Sequence, residues 1–127
     1  MASVLVVEDD PVVRELLRRW LAEWGFVVDV AEDAMSGLQA MIRHPADIAV
    51  VDIGMPGHNG LWFAERMRAD SPRTAIVMVT GAADVEMVMK ARQLGAVDYI
   101  VKPFKREMLK QALDRAELKI RQSTDPA

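Results

Sequence analysis

Short apolar runs alternate along the chain with longer segments in which apolar residues recur at helical spacing. The five runs cover residues 4–7, 26–30, 48–51, 75–79 and 97–101. The helical patterns that follow them cover residues 11–24, 33–43, 61–69, 84–94 and 106–121. This alternation is typical of repeated βα units, in which helices cover both faces of a parallel sheet.

The order of the predicted strands follows from the polar residues within them. Central strands of a parallel sheet are buried on both faces, and the first, third and fourth runs are almost wholly apolar. The second run contains Asp29 and the fifth contains Asp98, so we expect these two strands at the edges. With right-handed crossovers, the most natural order is 2-1-3-4-5. The predicted fold class is therefore α/β, a flavodoxin-like, doubly wound sheet of five parallel strands with helices on both faces.

Polar side chains stand where four of the predicted strands end. Glu8 and Asp9 follow the first run, Asp52 the third, Thr80 the fourth and Lys102 the fifth. The carboxyl ends of parallel strands meet at one edge of a sheet, and ligands bind there where the strand order reverses. In the predicted order this reversal lies between strands 1 and 3, beside the three carboxylates.

Three carboxylates at one place have few uses, because like charges repel unless a cation or a proton is present. Magnesium prefers oxygen ligands and is usually held by one or two carboxylates plus a phosphate, which matches Asp9 and Asp52 with Glu8 nearby. Calcium requires more oxygens than these groups supply. An aspartate beside such an ion can attack phosphorus and form an aspartyl phosphate, and Asp52, in the centre, is the best nucleophile. Lys102 can then pair with one phosphoryl oxygen, and Thr80 can donate to another.

Each of these groups also has an ordinary explanation when it is taken alone. Asp9 and Asp10 can cap the helix that follows, Asp52 can be a turn residue, and a single lysine is usually solvated. The coincidence at four strand ends favours a functional site over these separate explanations. His44 and His58 lack partners at metal-ligand spacing, and we expect both to be surface or loop residues.

Composition narrows the function classes. A chain of 127 residues with 51% hydrophobic content fits one compact domain, which we place at residues 1–121, with a polar tail or the start of a linker at 122–127. A net charge of -3 and the lack of a Lys/Arg run before the last helix argue against direct nucleic acid binding. There is no cysteine, the first strand begins almost at Met1, and no apolar run approaches the roughly 20 residues needed to cross a bilayer. We therefore expect a cytoplasmic protein that does not enter the membrane.

The motifs at the strand ends resemble those of the receiver domains of two-component response regulators. They are Val-Val-Glu8-Asp9-Asp10 after strand 1, Asp52-Ile-Gly-Met-Pro-Gly-His-Asn-Gly60 after strand 3, Val-Thr80-Gly81 after strand 4, and Tyr99-Ile-Val-Lys102-Pro103-Phe104 after strand 5. The resemblance covers residues 4–118, and the motifs occur together in the order that the family has.

This resemblance implies that Asp52 accepts a phosphoryl group from a histidine kinase or a histidine phosphotransfer protein. It also implies that Mg²⁺ is held by Glu8, Asp9, Asp52 and the backbone carbonyl of Gly54. The domain is then a signalling switch that catalyses only its own phosphorylation and dephosphorylation, and it is not an enzyme that turns over other substrates.

The resemblance further implies how phosphorylation is transmitted. Thr80 and Tyr99 are similar to the family's switch pair, in which the hydroxyl moves toward the phosphoryl group and the aromatic ring follows it inward. The face formed by helix 4, strand 5 and helix 5 then changes, and it controls an output domain or partner or forms a homodimer. The bond between Lys102 and Pro103 resembles a peptide bond that is cis in the family.

Departures from the family pattern leave other functions to be weighed. Gly54 and Ala82 occupy positions that tune loss of the phosphoryl group in receivers, and neither can orient a water, so we expect slow autodephosphorylation. The same two small residues also leave the site open to solvent or to an external phosphatase, which would act in the opposite direction. A phosphatase or phosphotransferase commonly has a second acid two residues after its nucleophile, where this chain has Gly54. A pseudo-receiver that is only a docking surface would not need the intact set of strand-end groups. A nucleotide-hydrolysing enzyme fits worse, because no Gly-x-x-x-x-Gly-Lys-Ser/Thr loop follows any strand.

Overall fold

Five strands and five helices alternate in the computed structural model, which describes residues 2–55, 57–81 and 85–124. The elements are β1 (Ser3–Val7), α1 (Pro11–Glu23), β2 (Val27–Ala31), α2 (Ala34–Arg43), β3 (Ile48–Asp52), α3 (Gly60–Asp70), β4 (Ala75–Thr80), α4 (Val85–Gln93), β5 (Asp98–Val101) and α5 (Arg106–Thr124). The predicted elements are all present. The predicted start of the fourth helix at Asp84 lies outside the described residues, and α5 continues three residues beyond its predicted end at Arg121.

The strands form one parallel sheet in the order β2-β1-β3-β4-β5, which confirms the predicted fold class. Every residue of β3 and β4 is buried, as expected for central strands, whereas most of β2 is exposed or partly exposed at one edge. Asp52 pairs with Val79 across β3 and β4, and Thr80 pairs with Val101 across β4 and β5. The strand-end groups therefore lie in adjacent register positions at one edge of the sheet.

Two cores cover the two faces of the sheet. On one face, α1 and α5 pack leucine side chains against the strands, and on the other face α2, α3 and α4 pack around Phe63 and Met78. Trp20 and Trp24 are partly buried against the α1 and α5 core. Because both faces are covered, the C-terminal edge of the sheet is where functional side chains reach solvent. Within the described residues, no helix is long and apolar enough to cross a membrane.

The first helix begins directly after the acidic strand end because Asp10 caps it. The Asp10 side chain accepts hydrogen bonds from the backbone N–H groups of Val12, at 2.9 Å, and Val13, and Pro11 occupies the first helical position. This arrangement leaves only Glu8, Asp9 and Asp10 between β1 and α1. The carboxylates of residues 8 and 9 are therefore presented from a very short connection.

Candidate functional site

Three carboxylates converge at the C-terminal ends of β1 and β3. Glu8, Asp9 and Asp52 each offer one carboxylate oxygen, and these three oxygens lie within 4.8 Å of one another. Glu8 and Asp52 are 1% and 6% exposed, whereas Asp9 is exposed. The cluster is thus embedded in the protein on two sides and is open to solvent through Asp9.

Lys102 brings a positive charge to the buried side of this cluster. Its Nζ atom lies 2.7 Å from Oε1 of Glu8 and 3.4 Å from Oδ2 of Asp52. The backbone N–H of Lys102 donates to the carbonyl oxygen of Thr80 at 2.8 Å, which anchors the end of β5 to β4. The peptide bond between Lys102 and Pro103 is cis. The structure therefore brings together Lys102, Glu8 and Asp52, as the strand-end pattern predicted.

Burial governs the charge states of these groups. Desolvation raises the pKa of Glu8 to about 7, the nearby Lys102 ammonium opposes this shift, and the Asp52 carboxylate adds to it. Burial alone lowers the pKa of Lys102, but contact with Glu8 and Asp52 outweighs this effect and leaves its pKa above the ordinary value. Lysine therefore stays charged near neutral pH, while Glu8 holds its proton more tightly than an exposed glutamate does.

A hard divalent cation fits this set of donors. All three side chains offer oxygen, and a single ammonium faces the three carboxyl groups. The buried Oε1 atom of Glu8 meets Lys102 only as an ion-pair contact and accepts no hydrogen bond with normal geometry from the described residues. An added cation would satisfy both the surplus charge and this oxygen.

The loop after β3 is folded back on Asp52. Oδ1 of Asp52 accepts a hydrogen bond from the backbone N–H of Gly54 at 3.0 Å, and the N–H of Ile53 donates to the carbonyl oxygen of Val79 at 2.8 Å. Gly54 is therefore adjacent to the carboxylate that was predicted to share a metal ion with it. Ala82, the other position from which slow autodephosphorylation was predicted, lies outside the described residues.

Gly60 allows the loop to close, and its role was not visible in the sequence. A Cβ atom at Gly60 would lie 2.4 Å from the carbonyl oxygen of Asp52 and 2.9 Å from Cα of Ile53. The first residue of α3 therefore packs directly against the backbone that carries the central carboxylate. Only a residue without a side chain fits there, so α3 sets the position of Asp52 from behind.

Thr80 and Tyr99 lie on the same face of the sheet. Thr80 is buried at the end of β4, and Tyr99 is partly buried on β5 opposite Met78. Because side chains alternate along a strand, residues 78 and 80 share a face with their partners 99 and 101. The Tyr99 ring lies beneath the Arg92 guanidinium, whose central carbon is 5.7 Å from the ring centre, beside α4.

Two further residues near the acidic loops were given no site role by the sequence motifs. Nη1 of Arg14, on α1, donates to the carbonyl oxygen of Glu8 at 2.9 Å. His58 is exposed in the loop after β3, as predicted, but its ring stacks on that of Trp62 with centroids 4.0 Å apart. His58 is not among the described residues that form the acidic cluster.

Comparison with known proteins places this geometry in a family context. The family model of the response regulator receiver domain matches residues 4–114. The probable C4-dicarboxylate response regulator DctR of Priestia megaterium is 42% identical over 115 residues, which cover 89% of this chain and 50% of that protein. The transcriptional regulatory protein MalR of Bacillus subtilis is 37% identical over 115 residues, with coverage of 89% and 49%.

The solved structures agree with the sequence relatives. The chemotaxis protein CheY4 of Vibrio cholerae superposes with a TM-score of 0.86 at 30% sequence identity, covering 91% of this chain and 98% of that one. A CheY-like receiver domain protein of Methanospirillum hungatei superposes with a TM-score of 0.89 at 25% identity, covering 96% and 98%. The chain spans about half the length of the curated relatives DctR and MalR.

Proposed function

The chain belongs to the response regulator receiver domain family, and we propose that it is a phosphorylation-dependent signalling switch whose phosphoacceptor is Asp52. One observation carries this proposal: Asp52 is buried in the centre of the strand-end groups, in contact with Lys102 and beside two further carboxylates. A histidine kinase or a histidine phosphotransfer protein is the proposed donor. We place this reaction in the cytoplasm.

The residues that would hold Mg²⁺ are Glu8, Asp9, Asp52 and the backbone carbonyl of Gly54. When bound, the ion neutralises charge on the oxygens of the transferred phosphoryl group. An Asp52 carboxylate oxygen forms the new bond to phosphorus, and the bond between phosphorus and the donor imidazole nitrogen breaks. The departing imidazole keeps the electron pair of that bond. The N–H of Gly54 holds Oδ1 of Asp52 in place, so the carboxylate is oriented before the phosphoryl donor binds.

Lys102 has the position of a charge sensor. Its ammonium is shared between Glu8 and Asp52 before phosphorylation. A phosphoryl group on Asp52 adds negative charge within reach of the same ammonium, and Lys102 then pairs with a phosphoryl oxygen. This exchange of partners loosens the contact with Glu8.

Thr80 and Tyr99 are the proposed link between the site and a distant surface. Their common face of the sheet supports a coupled movement, in which the Thr80 hydroxyl turns to the phosphoryl group and the Tyr99 ring moves inward. Tyr99 borders a cavity of about 240 Å³ with Val88 and Met89 of α4. Exposed apolar side chains on α4 and α5, such as Met89 and Met108, are available for a partner on this face.

The proposed output is regulation of a partner rather than turnover of a substrate. The relatives DctR and MalR are named as regulators, and this chain matches about half of each. The face formed by α4, β5 and α5 would control an output domain or a partner, or would form a homodimer on phosphorylation. Direct nucleic acid binding by this segment is not part of the proposal, because its net charge is -3.

Intact mass after incubation with Mg²⁺ and acetyl phosphate, a small phosphodonor, tests the proposal. We expect the stable gain of one phosphoryl group, and we expect Asp52→Ala to abolish it. Asp114→Asn is the matched control, because Asp114 is an exposed aspartate that pairs with Lys110 on α5. Continuous consumption of the phosphodonor would instead support a phosphatase, and no gain by the wild type would support a docking surface. Decay of the phosphorylated protein within seconds would contradict slow autodephosphorylation.

A further inference from the structure

Arg14 binds the backbone of the acidic connection between β1 and α1. Its Nη1 atom donates to the carbonyl oxygen of Glu8 at 2.9 Å and reaches that of Asp9 at 3.5 Å. Glu8 and Asp9 are the two residues of this connection whose carboxylates join the cluster. A single side chain on α1 therefore holds the main chain beneath both of them.

Other contacts complete the support of this connection. The N–H of Glu8 donates to the carbonyl oxygen of Ala31 at 3.0 Å, and the N–H of Asp10 donates to Oε2 of Glu8 at 3.2 Å. The N–H of Arg14 donates to the carbonyl oxygen of Asp10 at 2.9 Å. The Arg14 guanidinium is thus the side-chain donor in a set of bonds that leaves the backbone of residues 8–10 little freedom.

The contacts of Arg14 differ from those of several other arginines in the described chain, although Arg68 also donates to a backbone carbonyl oxygen, that of Gln93 at 2.9 Å. Arg18, Arg106 and Arg115 each form an ion pair with a carboxylate. Among the described residues, no carboxylate lies within ion-pair distance of Arg14, which is partly buried and contacts carbonyl oxygens instead. A role in fixing the main chain explains this choice of partners better than a role in pairing charges.

We propose that Arg14 is a positioning residue that presets the Glu8 and Asp9 carboxylates for a divalent cation. The carboxylates repel one another before the cation binds, and a loose connection would let them separate. A guanidinium has five N–H donors in a rigid plane, so one side chain can hold two carbonyl oxygens at once. This inference rests on the proposed function, because it concerns the cation that phosphorylation of Asp52 would require.

The positive charge of Arg14 acts in the opposite direction to its hydrogen bonds. A cation near the site repels Mg²⁺, so loss of the charge alone would strengthen Mg²⁺ binding. Loss of the hydrogen bonds would weaken it, because groups that orient metal ligands commonly affect metal affinity by 10–100-fold. Arg14→Met removes both, and the direction of the change in affinity shows which effect dominates.

The test is titration of the whole chain with Mg²⁺ alone, followed by NMR at the Gly54 amide. We expect Arg14→Met to weaken Mg²⁺ binding about tenfold and Arg14→Lys, which keeps the charge and one donor group, to weaken it less. Arg18→Met is the matched control, because Arg18 lies one turn further along α1 and pairs with Glu15. We expect its affinity to stay within about twofold of the wild type, since a distant exposed charge is screened.

A second readout needs no metal. In the metal-free protein, hydrogen exchange of the Asp10 amide reports the bond to Glu8 Oε2, and we expect faster exchange in Arg14→Met than in the wild type or Arg18→Met. Thermal unfolding checks that the variants fold, and if Arg14→Met does not, Arg14→Lys decides the test by the same two measurements.

The outcomes separate this inference from the proposed function. A wild type that does not bind Mg²⁺ overturns the proposed function. A wild type that binds Mg²⁺, together with an Arg14→Met that binds it equally well or more tightly and shows unchanged exchange of the Asp10 amide, overturns the positioning role alone. An equal loss of affinity in Arg18→Met also overturns that role, because it would show that the loss does not depend on the bonds from Arg14 to the backbone of residues 8 and 9.

Discussion

Replacement of Gly60 by alanine places a methyl group against the backbone of Asp52. The new Cβ would lie 2.4 Å from the carbonyl oxygen of Asp52, about 1 Å closer than the 3.4 Å at which ordinary contact begins. The opposing atoms belong to the main chain at the end of a buried strand, and they cannot move aside as a flexible side chain can. Either α3 or the end of β3 has to shift.

The expected cost is at the upper end of the range for overpacking, about 3 kcal/mol. It opposes the preference for alanine over glycine in helices, which is about 1 kcal/mol in a helix interior and is an upper bound at the first residue of α3. A steric clash lowers the unfolding free energy, whereas the helix propensity of alanine raises it. The sign of the measured change therefore distinguishes the two effects. Because Asp52 moves with its backbone, we also expect slower phosphorylation by acetyl phosphate.

Urea denaturation of Gly60→Ala beside Gly81→Ala provides the assay. Apart from its chain neighbours, no atom of the described residues lies within 4 Å of a Cβ added at Gly81, so we expect Gly81→Ala to change the unfolding free energy by less than about 1 kcal/mol. A Gly60→Ala protein as stable as the wild type would show that the added methyl group meets no clash at this position. A destabilised protein with an unchanged phosphorylation rate would refute the link to Asp52.

Three other predictions concern the charged groups. The pKa of Glu8, about 7, lies above the 4.5 of an exposed glutamate, so the metal-free protein should lose up to about 3 kcal/mol of stability as pH rises from 4.5 to 7. The unfolding free energy of Glu8→Gln, measured by denaturation at both pH values, should not show this loss. A variant with the same pH dependence as the wild type would contradict the raised pKa of Glu8. Lys102→Met should bind Mg²⁺ at least about threefold more tightly in a fluorescence titration, because the ammonium competes for Glu8 and Asp52; weaker binding would argue against competition. Asp10→Ala should lower the unfolding free energy by about 1 kcal/mol through loss of the helix cap, and an unchanged urea midpoint would count against the cap.

Strand order and the strand-end cluster were predictable because both follow from the order of polar and apolar residues along the sequence. Asp29 and Asp98 mark the edge strands, since a central parallel strand has no solvent-facing side to receive a carboxylate. Parallel strands bring their carboxyl ends together, so residues at four such ends could be expected at one edge without knowledge of any contact.

Contacts that depend on the path of a helix were not predictable in the same way. Gly60 faces the carbonyl oxygen of Asp52, and Arg14 binds carbonyl oxygens. In both cases the partner is a main-chain atom, which every residue type has, so no residue type in the sequence marks the contact. The end of α5 was placed too early because apolar periodicity fades after Ile120. The backbone hydrogen bonds of a helix do not depend on that periodicity, and α5 continues through polar residues to Thr124. The raised pKa of Glu8 depends on its burial, which the sequence motif does not show.

We propose that one carboxylate, Asp52, receives the phosphoryl group. Reduction of the acetyl phosphate-treated protein with borohydride, which converts an acyl phosphate on aspartate into homoserine, followed by peptide mass mapping, locates the modified residue directly. We predict modification at Asp52 alone, and only when Mg²⁺ is present. Modification at Glu8 or Asp9 would show that Asp52 is not the sole phosphoacceptor, and equal modification without Mg²⁺ would show that the reaction does not need the ion.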